Sequence, residues 1–451
     1  SSITTGFRRT KLAKKPHEHH DRPHRHHYDA EMLSVEEARE RILSYFATLP
    51  VEAIPLVDSL GQVLAEDVVA TFDIPPLANS AMDGYAVLSS DTKGASKESP
   101  VELTVTGVVA AGQLPDHALK PGTAIRIMTG APVPENADAV VPFEDTDELE
   151  RRAAGGSSEA INIHLETETY DNVRGAGEDV ESGETVLQSG QILRAGEIGV
   201  IASLGHSSVN AVRRPVVAIV STGDELLQPG DAFEPGKIYN SNAYSIASMV
   251  SHYGGVPKIM GIARDTIESL EAALEHAMDA DLVVTSAGVS KGDYDVVKDV
   301  LSSKGEIALW SVRMRPAKPL AFGVLEREDG TKVPHLGLPG NPVSAMVAFE
   351  QFGRSAIRLM MGKPNVAKPS VEAIMDDPIR NHDGRRVYAR VHVYKDDSGK
   401  YRAKSTGNQS SGVLSSMAQA NGLAICPDDI GMIDVGEIAR VELLDWPDDI
   451  F

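Results

Sequence analysis

The chain has 451 residues and a single cysteine, Cys426. One cysteine excludes an intramolecular disulfide and any zinc or iron–sulfur site built from several thiolates, and it predicts a reducing, cytoplasmic setting. No apolar run reaches the roughly 18 residues that a membrane-spanning helix needs, so no membrane association through such a helix is expected. The first residues lack the apolar core of a secretory signal. Positive charge is also scarce: 43 Lys and Arg stand against 65 Asp and Glu, a net −22. So acidic a chain is a poor candidate for nucleic acid or an anionic membrane surface. If its substrate is an anion, the site must be locally basic against the global field.

What is present is ordinary for a globular protein, with 42% apolar and 24% charged residues. The length predicts two to four domains at about 100–200 residues each. Residues 1–30 stand apart, with seven basic and three acidic residues, a surplus of +4 that leaves −26 on the remainder of the −22 total. Six of the fourteen histidines lie there too, and the segment reads as a disordered His-rich tail. Ser34 followed by Glu37 predicts a capping box, with Ala38, Ile42 and Phe46 on one helical face. Residues 51–88 read as short strands and turns. The stretch 100–142 is β-rich, with strict alternation in Val101–Val105. Residues 147–160 read as a polar surface loop.

From residue 215 the pattern changes. Pro215–Val220 is a continuous apolar run ending in Ser221-Thr222-Gly223, the mark of a fully buried strand. A helix at 242–252, a strand at 257–262, a helix at 267–278, a strand at 282–284 and a helix at 296–301 follow. This alternation predicts a parallel sheet with right-handed crossovers. Ligands of such sheets bind beyond the carboxyl ends of the strands, here the loops after residues 220 and 284. Pro364 and Pro369 bracket a linker. Residues 371–446 then read as a small all-β domain, with turns at Asp396–Gly399 and Asn421-Gly422.

The two loops carry suitable chemistry. Ser221, Thr222 and Gly223 precede Asp224-Glu225; Ser286, Gly288 and Ser290 precede Asp295. Glycines admit phosphate to backbone amides, hydroxyls add donors, and carboxylates beside phosphate hold a divalent cation such as magnesium. Glu225 and Asp295 are the metal-side candidates. Arg313 and Arg315 share one face of an extended segment, with Lys318 close behind and Lys298 on the preceding helix; together they form a local basic cluster. Pro339 and Pro342 fix a rigid turn at a helix N-terminus that suits an anion. These features specify a phosphorylated ligand and a metal, without choosing a reaction.

Together with Asn79-Ser80-Ala81-Met82-Asp83-Gly84-Tyr85-Ala86 and Met128-Thr129-Gly130-Ala131-Pro132, these segments resemble the molybdopterin molybdenumtransferase family, which includes bacterial MoeA and the gephyrin E domain. The resemblance runs from about residue 31 to the end. It implies a multidomain α/β-plus-β fold with four subdomains: an elongated one from 31–70 and 158–212, a mobile β-rich one over 71–157, an α/β molybdopterin-binding one over 213–363, and a β-barrel-like one over 364–451. It implies a homodimer whose site lies between one protomer's 71–157 region and the other's α/β domain. It also implies molybdate and adenylylated molybdopterin as substrates, magnesium as cofactor, release of AMP, and a molybdopterin adenylyltransferase and molybdoenzyme apoproteins as partners. Carried onto matching positions, Asp83, Thr129, Asp179, Glu225, Asp265 and Asp295 form the functional set.

Read from the residues alone, Asp83 is equally a turn residue before Gly84, and Asp265 a helix N-cap. Ala287, Lys291, Ser311 and Arg315 depart from the family pattern, which redistributes the cations. Molybdate and tungstate, nearly equal in size and charge, stay undistinguished. A rival reading is a related protein that adenylylates molybdopterin, but the bare α/β module would suffice for that. A second rival is a scaffold, for which no receptor groove is marked.

Overall fold

The computed structural model describes residues 32–155, 159–286, 300, 305–327 and 329–444. Apart from Val300, which is helical and buried, the expected helix at 296–301 and the loop carrying Gly288, Ser290 and Asp295, with Lys298 beyond it, lie outside this set.

The chain enters through the helix Val35–Leu43. Ser34 Oγ accepts from the Glu37 amide at 3.1 Å and Glu37 Oε2 accepts from the Ser34 amide at 2.7 Å, the reciprocal cap that the Ser-x-x-Glu spacing encodes. The helix buries Val35, Ala38 and Ile42 in the same core as Phe349 and Phe352 of the α/β domain. The next stretch pairs with a distant one: Val51–Pro55 runs antiparallel to Ser208–Val212, and Val68–Val69 pairs with Thr185–Leu187. Leu64, Val68, Leu187, Leu193, Ile201 and Ala211 close one core between them.

Residues 84–163 form a five-stranded sheet in the order Ala139–Pro142, Gly84–Val87, Thr123–Ile127, Val101–Val109, Ala160–Ile163. Each face carries its own apolar cluster, one around Leu103 and Val141, the other around Ile125 and Val140. Within the expected 147–160 loop lies a short helix, Glu148–Ala153. Glu148 is buried against Arg126 at 2.8 Å, a tertiary pairing that no local polarity pattern reveals.

The α/β domain holds a six-stranded sheet in the order Val256–Ala263, Val216–Thr222, Leu282–Ser286, Lys332–Leu338, Pro319–Glu326, Gly305–Ser311. The first four strands are parallel, as the alternating pattern predicts. One strand corrects the expectation of a parallel sheet: Pro319–Glu326 runs antiparallel to both of its neighbours, so Gly305–Ser311 beyond it keeps the direction of the first four. The short connection at 327–331 is the reason: it is too short for a crossover helix and long enough only for a hairpin. Ser221, Ser286 and Leu338 stand in register at the carboxyl ends of three adjacent strands. Helices Ser241–His252 and Pro342–Ala348 cover one face and Ile267–Ala277 the other.

The C-terminal strands close into a five-stranded barrel. Arg386–Lys395 pairs with both Tyr401–Ser405 and Gly422–Cys426, and Ser370–Met375 and Ile438–Leu443 complete the ring. Asp396–Gly399 is the expected hairpin turn. Asn421-Gly422 is not a turn: Gly422 begins a strand, and the Asn421 side chain bonds both the amide and the carbonyl of Val393, at 2.6 and 3.0 Å. A side chain that imitates a strand partner looks like turn chemistry in sequence. Among the described residues no helix is long and apolar enough to cross a membrane.

Candidate functional site

The carboxyl ends of the central strands open into a cleft of about 650 Å³, lined by Glu225, Tyr239, Asn242, Ser286, Pro339 and Pro342 among others. Ser221, Thr222 and Gly223 lie buried beneath it. The Ser221 hydroxyl donates to Asn240 Oδ1 at 3.1 Å, and the same oxygen caps the Ser241–His252 helix by accepting from the Ala243 amide. Gly223 sits at φ 143°, and a Cβ there would meet the Glu225 carboxylate at 2.5 Å. Glycine at 223 is therefore what lets Glu225 fold back over the end of its own strand.

Asn242 holds the cleft together. Its Nδ2 donates to Ser286 Oγ and to the Gly340 carbonyl, both at 2.8 Å, tying helix, central strand and proline turn. Pro342 occupies the first helical position after Asn341, where a missing amide costs nothing. Asn341 and Val343 reach the barrel through Ser411, each at 3.1 Å. Sequence reasoning passed over Asn240 and Asn242; the available signal was an Asn cap in front of an apolar-periodic run.

Asp265 is not the cap of the Ile267–Ala277 helix. Thr266 is, accepting from the Ser269 amide. Asp265 Oδ2 accepts instead from the Asp224 amide at 3.1 Å, so it braces the loop that carries Glu225. Lys237 donates to the Asp224 carbonyl at 2.5 Å from the other side.

A second cavity, of about 790 Å³, lies between the α/β domain and the barrel and shares Pro319 and Ser344 with the cleft. Arg315, Lys318, Arg380, Arg385 and Arg390 line it together with the carboxylate of Asp377, and Arg385 is paired with Asp383 at 2.5 Å. Arg315 arrives because Met314–Arg315 adds a parallel strand to the barrel at Arg386-Val387. Arg390 is 1% exposed; it donates to the Ser416 hydroxyl and to the Asn408 and Ser410 carbonyls. These acceptors are neutral, so the charge stays available, while burial brings the guanidinium down to about 10. Arg390 was missed because a strand arginine in an alternating run reads as a solvated face. The chain bends at Arg313, which turns toward Asp428 at 3.9 Å and lines neither cavity. The expected shared face of Arg313 and Arg315 therefore does not form.

Asp83 and Thr129 meet directly. Asp83 Oδ1 accepts from the Thr129 amide at 2.7 Å and from its hydroxyl at 2.9 Å. These bonds, the amide's foremost, hold the carboxyl below the usual range. Asp179 is exposed at the neighbouring bend, where its amide donates to the Ile74 carbonyl at 3.0 Å. Neither strand pairing nor a shared apolar core joins the Asp83–Thr129 pair to the cleft within the described residues. Those residues contain no cluster of three or more His, Cys, Asp or Glu able to hold a metal.

Three family descriptions match successive parts of the chain: the MoeA N-terminal region (domain I and II) over residues 33–205, a probable molybdopterin binding domain over 218–359, and the MoeA C-terminal region (domain IV) over 372–444. The chain is 38% identical over 417 residues to molybdopterin molybdenumtransferase 2 of Mycobacterium tuberculosis, covering 91% of this chain and 99% of that protein. To molybdopterin molybdenumtransferase of Staphylococcus aureus it is 33% identical over 397 residues, 88% of this chain and 91% of that one. The crystal structure of a molybdopterin biosynthesis MoeA protein from Pyrococcus horikosii matches with a TM-score of 0.72 at 31% identity, over 92% of this chain and 100% of that chain.

Proposed function

The chain belongs to the molybdopterin molybdenumtransferase family, and on that footing we propose that it inserts molybdenum from molybdate into the dithiolene of adenylylated molybdopterin, with release of AMP. The observation that carries this reading is the basic cavity sharing a wall with the strand-end cleft. A protein of net charge −22 keeps five cationic side chains at one place. A tetrahedral oxyanion is the ligand such a place suits, since the arginine fork pairs with paired oxygens. Ser344, lining both spaces, marks where oxyanion and pterin would meet.

The cleft takes the pterin's phosphoanhydride. Ser286 and the turn amides supply donors, with Asn242 holding both in place. Glu225 lies exposed on the rim. One carboxylate there, with Asp295 from the loop outside the described residues, fits magnesium, which usually takes one or two carboxylates and draws its other ligands from substrate phosphates and water. When bound, magnesium would neutralise charge on the anhydride oxygens. Asp83, kept ionised by Thr129, would come from a second copy of the chain. Apolar side chains displayed by the elongated region, with Val57 85% and Leu60 57% exposed, support a homodimer. The reaction fits the cytoplasm, downstream of a molybdopterin adenylyltransferase and upstream of molybdoenzyme apoproteins.

The test is direct. Purified protein is incubated with adenylylated molybdopterin, magnesium and molybdate, and AMP and active cofactor are measured. AMP release dependent on both molybdate and protein supports the reading; its absence removes it.

A further inference from the structure

We infer that Arg126 is the positioning residue that fixes Asp83 against Thr129; this rests on the reading of Asp83 as part of the reaction centre. The strands Gly84–Val87 and Thr123–Ile127 pair antiparallel, Gly84 facing Ile127 and Tyr85 facing Arg126. Asp83 lies just before the first strand and Thr129 just after the second, so both project from one sheet end. The Arg126 guanidinium spans that end. Its Nη1 donates to the Gly84 carbonyl at 3.0 Å and to the Ile127 carbonyl at 2.9 Å. One planar group thus ties the residue after Asp83 to the residue two before Thr129.

The guanidinium is itself immobilised. Its Nε lies 2.8 Å from Glu148 Oε2, with side-chain exposures of 11% and 6% for the two residues. Its carbon sits 5.3 Å from the Tyr85 ring centroid and 5.7 Å from that of Phe143. Such double stacking beside an ion pair, with two carbonyls bonded as well, needs arginine's flat, multi-donor head; an ammonium cannot reproduce it. The opposite side of the strand is closed as well. A Cβ on Gly84 would fall 2.0 Å from the Val141 carbonyl, so Gly84–Val87 can lie this close to its neighbour only with glycine there. The Phe143 amide donates to the Asp83 carbonyl at 3.1 Å. Backbone and side chain around Asp83 are therefore fixed from both strands before any ligand arrives. A reacting group that must meet its target across a protein interface gains from such fixation, because a misplacement of 1 Å costs about a hundredfold in rate.

Arg126 lines neither the cleft nor the basic cavity. It acts through Asp83, and its removal should weaken turnover rather than binding. The experiment uses the full chain and two variants. Arg126→Met removes both carbonyl bonds; Glu148 keeps a second cation, Arg152, at 2.6 Å, so no lone charge is left buried. Arg126→Lys keeps the ion pair and reaches at most one carbonyl. Two readouts are taken: steady-state AMP release, and exchange of the Thr129 amide, whose hydrogen bond to Asp83 reports the pair without activity.

In Arg126→Met, kcat should fall about ten- to a hundredfold with KM within about twofold. Thr129 should exchange at least about tenfold faster while Ile125 and Val140 inside the sheet keep their protection. Arg126→Lys should recover part of both. Unchanged Thr129 exchange with unchanged kcat overturns the inference. So does a loss of protection spread equally over the whole sheet, which marks a stability role. If the Met variant does not fold, the Lys variant carries the same comparison. A wild-type protein that releases no AMP, or a fully active Asp83→Asn, removes the functional reading instead and leaves the exchange readout on Arg126 intact.

Discussion

His335, wholly buried in the strand Lys332–Leu338, shares a hydrogen bond with Thr285 through Nε2 and Oγ1 at 3.0 Å. Thr285 immediately precedes Ser286, so this contact lies one residue beneath the cleft. Burial brings the imidazole from 6.5 down to about 3, leaving it neutral in the folded protein. The unfolded chain takes up the proton first as pH falls. Stability is therefore unaffected above pH 6.5 and declines progressively from there toward about 3. Between pH 7 and pH 5 the loss from this residue is about 2 kcal/mol, at roughly 1.4 kcal/mol per pH unit below the unfolded value. Urea titrations at the two pH values check this. The drop in the wild type should exceed that in His335→Gln by about that amount, and equal drops would refute the assignment.

The proposed shared site makes a complementation test possible. Asp83→Asn and Glu225→Gln should each lower AMP release by about a hundredfold or more while leaving melting temperatures nearly unchanged, since both carboxylates lie at the surface. Co-expressed, the two variants form mixed dimers in which one of the two sites has both groups intact. With random pairing, activity should return to about a quarter of wild type. No recovery would place Asp83 and Glu225 in the same protomer's site.

The two arginines of the basic cavity should differ in their response to salt. Arg390→Met removes a buried charge and Arg315→Ala an exposed one. Each should weaken molybdate binding about tenfold, at roughly 1.5–3 kcal/mol per charged hydrogen bond. The Arg390 effect should persist at 0.5 M salt, whereas the Arg315 effect should shrink, because exposed charges are screened. Arg313→Ala, facing Asp428 instead, should have the smallest effect. Calorimetric titration with molybdate at two ionic strengths separates these outcomes.

Asn242→Ala should uncouple the Ser286 strand from the proline turn. Two hydrogen bonds are lost, at about 1 kcal/mol each. The expected result is roughly a tenfold rise in KM for adenylylated molybdopterin with molybdate affinity unchanged. Equal weakening of both ligands would show that the cleft and the basic cavity behave as one site.

The sequence determined most of what is local. Apolar runs located the two central parallel strands Val216–Thr222 and Leu282–Ser286, because a strand buried on both faces has no polar alternation to lose; the parallel strand Lys332–Leu338 was not foreseen. Ser34 and Glu37 announced the first helix, since capping needs only residues three apart. The position of the cleft followed too, as carboxyl ends of parallel strands leave open loops there. Tertiary structure alone decided the rest. The first helix joins the core of Phe349 and Phe352, the short hairpin reverses the strand Pro319–Glu326, and Thr266 rather than Asp265 caps its helix. Arg390 and Arg126 gained their roles only when the barrel and the 84–163 sheet placed carbonyls, rings and a distant carboxylate around them. Hydrogen-bond partners separated by tens of residues leave no period in the sequence, and a buried arginine is spelled the same way as an exposed one.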